Sequence, residues 1–420
     1  MTTTEPSSTE NLNEDFTPVT DWATDFDHAD PQYNRNAHAI WAELRGTCPV
    51  AHSDRYGGTW LPTTYEYVRE IAYDTENFTS RAVIVEKMIP PDPAPIGGAP
   101  PITSDPPFHI EARKLLLPPF APKKIELWEP EVRTLCRGLL DSMMADVAAG
   151  KTIDAAADYA KRIPVNVISR MLGFPMSDED LFLEFVHDVL EGIDDAPEVR
   201  FVKIERLIQY IVSQIEDHVE NPRDDLTSYL MGVELFGEKL SVEHIGGSII
   251  LLLIAGIDTT WSAIGSSLWH LWHLANNPDD LARLVADRSL IPTAVEEFLR
   301  VYAPVTMARL VAKDHDFHGC PMKVDDWVLL PFPAANLDPE VFPDADKVLI
   351  DRAENRHSAF GLGIHRCLGS NLARLELTIA IEEFIDRFPS FTLGGTEDDV
   401  TWSVGQIRGP RELPVQVLAK

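Results

Sequence analysis

From residue 108 to about 300, apolar residues recur at spacings of three and four. That repeat predicts helices near 124–148, 159–172, 178–192, 199–220, 241–275 and 291–302. Asp178 and Ser241 stand where helix N-caps belong, each followed by acids in the next turn. Upstream, residues 35–80 predict a short helix and a strand around Thr59-Trp60-Leu61. Residues 89–107 are crowded with proline and continue neither helix nor strand, which marks a long loop of the kind that serves as a lid or binding loop. Residues 305–335 switch to short strand-like runs, 336–366 are loop-rich, 367–388 return to an amphipathic helix, and the last thirty residues read as strands and turns. No period of 20–50 residues repeats, which excludes a solenoid. The expected fold is mainly α with a minor β portion.

The apolar run Ile249–Ile257, ended by Asp258, is nine residues long and far short of the ~20 that span a bilayer. It predicts a helix buried on nearly all sides. The chain carries 36 Lys+Arg against 67 Asp+Glu, a net charge of −31, so nucleic acid and anionic membranes are poor partners. Residues 1–34 contain no Lys or Arg and no long apolar block, so they predict no secretory signal. They are expected to form an acidic, partly mobile segment before a single catalytic domain over 35–420. Cys48, Cys136, Cys320 and Cys367 are widely spaced, which argues against a disulfide framework and makes the cytoplasm the default location.

Two segments break the packing pattern. In Phe360-Gly361-Leu362-Gly363-Ile364-His365-Arg366-Cys367-Leu368-Gly369, three glycines surround one cysteine just before a helix. Glycine permits positive φ and close backbone approach, and a helix N-terminus favours a thiolate over a thiol. A dinucleotide fingerprint would need glycine where Arg366 stands, and a zinc site lacks a second ligand pair. A glycine-rich turn around a buried cysteine is the plain alternative. In Ala255-Gly256-Ile257-Asp258-Thr259-Thr260, a helix interior collects a glycine, a carboxylate and two threonines. The glycine alone costs ~1 kcal/mol against alanine, and the carboxylate costs more unless paired. Glu297-Phe298-Leu299-Arg300 is by itself a commonplace (i, i+3) pair.

Together, these segments resemble the cytochrome P450 family. The first matches FGxGxHxCxG at all six specified positions, the second matches [AG]GxDT, and the third is similar to the ExxR helix, sixty residues before Phe360. The resemblance implies a haem-thiolate fold with haem b (heme b, iron protoporphyrin IX) between the oxygen-binding helix and the cysteine loop. It implies that Cys367 is the iron ligand, with Phe360 and Gly369 around it and Ala255 against the haem. Thr259 becomes the alcohol that hydrogen-bonds O2 and Asp258 the acid that gates proton delivery, with missing turn bonds beside Gly256 making room. His109, Arg113, Arg309 and His365 become the propionate partners. Glu297, Arg300 and Arg352 become structural.

By the same resemblance, Leu251, Ile254, Val305, Met307 and Ile407 line the substrate pocket, with 81–104 as its lid. The substrate is then small and mainly hydrophobic, unless Arg81 or Lys87 anchors a carboxylate. Electrons from NAD(P)H would arrive through a reductase and an iron–sulfur ferredoxin (2Fe-2S). Arg113, Lys114, Lys123, Lys124, Arg133, Arg137 and Arg366 would form the basic dock. The implied activity is monooxygenation. A haem protein that binds or senses a ligand without turnover, and a haem-free helical binding protein, stay open.

Overall fold

The computed structural model describes residues 17–85, 98–191, 197–272 and 279–417. Helices dominate, and the predicted ones appear at Glu129–Ala148, Arg162–Leu172, Glu179–Leu190, Pro197–Glu220, Val242–Trp272, Ile291–Val301 and Ser370–Arg387. Ser241 caps as expected, its Oγ accepting from His244 N at 3.2 Å. Asp178 does not cap the 179–190 helix. Its Oδ2 instead accepts from Tyr210 Oη at 2.7 Å, a tertiary bond that outcompetes the local one.

The helix Val242–Trp272 runs through the middle, packed on the 162–172, 370–387 and 179–190 helices. Its 31 residues are long and apolar enough to cross a membrane by length and composition, beyond what the nine-residue run suggested. Here most of it is core: Ile249, Leu253, Ile257, Ile264 and Leu268 are buried. Gly256 lets it approach the 162–172 helix, where an added Cβ would meet Ile168 Cγ1 at 3.2 Å.

The β portion lies to one side. A five-stranded sheet has the order Val50–Ser53, Thr59–Pro62, Trp327–Pro331, Thr306–Val311, Phe78–Thr79. All its pairings are antiparallel except Trp327–Pro331 against Thr59–Pro62. A second sheet joins Phe391–Leu393, Pro414–Val417 and Ile153–Asp154. Residues 401–412 form a hairpin, Thr401–Trp402 against Pro410–Glu412.

The expected boundary at residue 34 falls inside the helix Pro31–Thr47. Phe26 and His28 are buried, and Arg55 pairs with Asp25 and Asp27 at 2.9 and 3.0 Å. Burial of these side chains binds residues 25–30 into the fold, and only 1–16 of the acidic segment lie outside the described residues.

Candidate active site

The cysteine loop is shaped by its glycines. Gly361 and Gly363 have φ of +73° and +70°, and a Cβ on Gly363 would collide with the carbonyl of Ala72. The loop folds back so that Cys367 N donates to Phe360 O at 2.7 Å, and the helix Ser370–Arg387 starts three residues later. Cys367 is exposed, as is Arg366 before it, and Leu368 and Gly369 after it are half-buried.

Burial raises the Cys367 thiol above its ordinary value, against the expected preference for thiolate. The Gly369 N–H and the charges of Arg113, Arg366 and Arg374 oppose that rise. Burial outweighs the Gly369 N–H and the cations together.

Cations and imidazoles gather beside the loop. His365 Nε2 lies 2.9 Å from Ser80 Oγ, and its ring is 4.3 Å from that of His109. Burial, reinforced by Arg309, His109 and Arg113, holds His365 down to about 2. Burial and Arg113 hold His109 at about 4. Both rings are therefore neutral at pH 7. Neither ring nitrogen of buried His109 has a partner among the described residues. Arg309 is buried and lowered to about 10 by desolvation, and its Nη1 donates to Ala308 O at 2.7 Å. Arg113 reaches the ligand loop itself, Nη2 donating to Arg366 O.

On the central helix, one face behaves unlike the rest. Leu251, Ile254 and Thr259 are half-buried and Ala255 is exposed, while most neighbouring positions are core. At the upper end of this face Gly98–Pro100 presses on Gly247, where a Cβ would lie 2.8 Å from Gly98 O, and Ser248 Oγ donates to Pro100 O at 3.3 Å. Thr259 Oγ1 donates to Ala255 O at 2.8 Å. The helix assignment is continuous through 255–260. Gly256 there allows close packing on Ile168.

Asp258 is buried and answers the question of its pairing through a residue the sequence did not single out. Arg411 Nη2 lies 2.8 Å from Oδ1 and donates to Oδ2 at 3.0 Å. No N–H aims at Oδ1. Burial raises the Asp258 carboxyl, Arg411 lowers it, and Glu191 raises it further. Arg411 also donates to Glu191 at 2.7 Å and Ser262 at 3.1 Å, and stacks over Trp261 at 4.2 Å. Arg411 is 153 residues from Asp258 in sequence, and no local pattern marks it.

The Glu297 cluster closes completely. Arg300 donates to Glu297 at 2.7 and 2.9 Å, and Arg352 Nε approaches the same carboxylate at 2.9 Å. Leu349 N and Asn355 Nδ2 add bonds at 2.8 and 3.1 Å. Arg300 spends its remaining donors on the carbonyls of Asn336, Ala345 and Lys347. This knot holds the loop leading to Phe360. Arg374, over the Phe360 ring at 4.4 Å and bonded to Glu296 at 2.6 Å, was also missed from sequence.

Val305 and Met307 are half-buried on one side of the strand region, and Val305 bridges Ile407, which is buried. Arg81 pairs with Asp325 rather than standing free as a carboxylate anchor, because the exposed aspartate lies within reach. Lys87 lies outside the described residues, as does much of the 81–104 segment. The basic dock is narrower than expected. Lys114 pairs with Glu111, Arg133 with Glu129, Glu382 and Glu383, and Arg137 with Glu383. Lys123, Lys124 and Arg366 stay exposed.

Comparison with known proteins agrees with this geometry. The Cytochrome P450 family model matches residues 198–401. Mycinamicin IV hydroxylase/epoxidase of Micromonospora griseorubida is 33% identical over 89% of this chain and 94% of its own length. Vitamin D3 dihydroxylase of Streptomyces griseolus is 32% identical over 89% and 92%. The solved structure of the bacillaene polyketide synthase cytochrome P450 PksS of Bacillus subtilis superposes with a TM-score of 0.82 at 29% identity, covering 94% of this chain and all of that one. With the cysteine loop, the buried Glu297–Arg300–Arg352 knot and relatives that are hydroxylases, epoxidases and oxygenases over nearly their full length, this chain belongs to the cytochrome P450 family of monooxygenases.

Proposed function

We propose that this cytochrome P450 hydroxylates a neutral, mainly hydrophobic secondary metabolite or vitamin-like molecule in the cytoplasm. Its electrons come from NAD(P)H through a reductase and a 2Fe-2S ferredoxin. Cys367 holds haem b, and His109, Arg113, Arg309 and His365 receive the propionates. One observation carries the haem assignment: Cys367, at the end of the glycine loop, and Ala255, on a helix that is otherwise largely buried, are both left uncovered by protein. The orphaned ring nitrogens of His109, beside buried Arg309, fit an anionic group with acceptor oxygens. Haem bound through a thiolate supplies the activation of O2 that the polypeptide lacks.

The chain's own residues supply the rest. Thr259 holds its hydroxyl on the open face of the helix, where it can turn from Ala255 O to an oxygen ligand. Asp258, paired with Arg411, sits one residue away as the proton store, since delivery to oxygen needs a carboxyl whose charge can change. Leu251, Ile254, Val305, Met307 and Ile407 exclude water and carry no charge. Lys123, Lys124 and Arg366 offer a small basic patch to an acidic ferredoxin, which chiefly speeds encounter.

The test is a spin-state titration of the haem protein with macrolides, secosteroids, terpenes and fatty acids. Shifts confined to neutral polycyclic or macrocyclic compounds support the reading. Shifts only with carboxylate-bearing compounds overturn it.

A further inference from the structure

Gln406 is nearly fully buried, yet among the described residues its side-chain amide bonds only to backbone of other segments. Its Oε1 accepts from Val85 N. Its Nε2 donates to Val83 O at 3.2 Å and Thr306 O at 2.8 Å. One N–H partner and two carbonyl partners fix the amide's orientation uniquely. The main chain runs with it: Thr306 N donates to Gln406 O at 2.8 Å, Ala308 N to Val83 O at 3.0 Å and Arg408 N to Pro304 O at 2.7 Å. Three segments, 83–85, 304–308 and 406–408, are thereby joined into one plate.

That plate is also fixed to the central helix. A Cβ on Gly409 would collide with Ser262, and one on Gly265 would meet Pro410 Cγ at 2.8 Å. The hairpin therefore has no freedom at its helix side, and Gln406 removes it on the other. The half-buried side chains of the plate are Ile84, Val305, Met307 and Arg408, with Ile407 bridging Val305.

We propose that Gln406 is a positioning residue that sets the shape of the substrate pocket. By stapling the stretch 83–85 to the 304–308 strand, it holds Val305, Met307 and Ile407 at fixed distance from the reacting centre, and so determines which substrate carbon is presented. It touches no substrate itself. This inference rests on the proposed haem site and pocket.

The test uses the haem-loaded protein and two iron-binding probes. Imidazole needs only the iron, whereas 4-phenylimidazole also needs the wall. Gln406→Glu turns a donor pair into a carboxylate facing two carbonyls, and Gln406→Met keeps the volume without any bond. Leu140→Ala, in the 129–148 helix, serves as a destabilised control away from the plate. We expect imidazole affinity within twofold of wild type in all variants. Affinity for 4-phenylimidazole falls about tenfold in the Gln406 variants only, as the loss of buried hydrogen bonds predicts. Equal affinity for the phenyl probe in wild type and both variants overturns the proposal. So does an equal loss in Leu140→Ala, or failure of both Gln406 variants to fold, since the residue would then be merely structural. If wild type itself binds neither probe at iron, the haem reading fails first, and the proposal with it.

Discussion

Replacing Arg411 by leucine tests how Asp258 is kept charged inside the protein. The guanidinium is the cation within 3.0 Å of a carboxylate that is 1% exposed, and burial already pushes that carboxyl upward. In Arg411→Leu only the weaker influence of His187 is left to oppose burial, so Asp258 escapes the cost of an unpaired charge by taking up a proton. The unfolded chain, with an ordinary value of 3.8, stays ionised at neutral pH. The penalty therefore has a ceiling equal to the work of protonating an ordinary carboxyl: about 4 kcal/mol at pH 7 and about 2 kcal/mol at pH 5.5. The sign follows from the raised folded value: no penalty below 3.8, growing as pH rises. Urea unfolding of wild type and variant at both pH values reads the difference. The double variant Asp258→Asn/Arg411→Leu, which has no carboxyl to protonate, should lose the same stability at both. A cost for Arg411→Leu that does not change between pH 5.5 and 7 refutes the argument.

Three further outcomes are expected. Thr259→Ala loses one hydrogen bond to Ala255 O and about 1 kcal/mol or less of stability, but should uncouple turnover, so that reductant is consumed, peroxide accumulates and product falls; unchanged coupling in a peroxide assay removes the proposed role. Glu297→Gln leaves Arg300 and Arg352 facing a neutral amide at a fully buried site and should cost about 3–5 kcal/mol in urea unfolding, with haem retention falling in parallel; a cost below 1 kcal/mol contradicts the knot. Glu376, buried with Oε2 unpartnered among the described residues, is raised by burial to about 8 from an ordinary 4.5. Wild type should therefore lose stability from pH 5 to 8 relative to Glu376→Gln, by about 3–4 kcal/mol; parallel pH profiles would contradict it.

Fixed-spacing features were legible in the sequence because their chemistry is local. The glycines around Cys367 need positive φ and close approach, and the structure uses both at Gly361 and Gly363. The helices followed from apolar spacing, and the mainly α fold with them. What escaped was set by long-range contacts. Gly256 also packs against Ile168 on another helix, which no local pattern shows. Asp258 was read alone, because Arg411 arrives from a hairpin near the other end of the chain. The basic stretch 109–137 looked like one surface until Glu382 and Glu383, on the 370–387 helix, took up Arg133 and Arg137. Asp178 had a cap's sequence context, but a tyrosine 32 residues away claimed its carboxylate. In each case pattern gave the residue and tertiary packing chose its partner.

The most direct test of the account is optical. The protein, loaded with haem, is reduced and exposed to carbon monoxide, alongside Cys367→His. A strongly red-shifted Soret band in wild type, absent from the variant, is the predicted result, because only an anionic sulfur opposite the gas produces it. A wild-type protein that binds haem and carbon monoxide without that band, or a variant that keeps it, would contradict the assignment of Cys367.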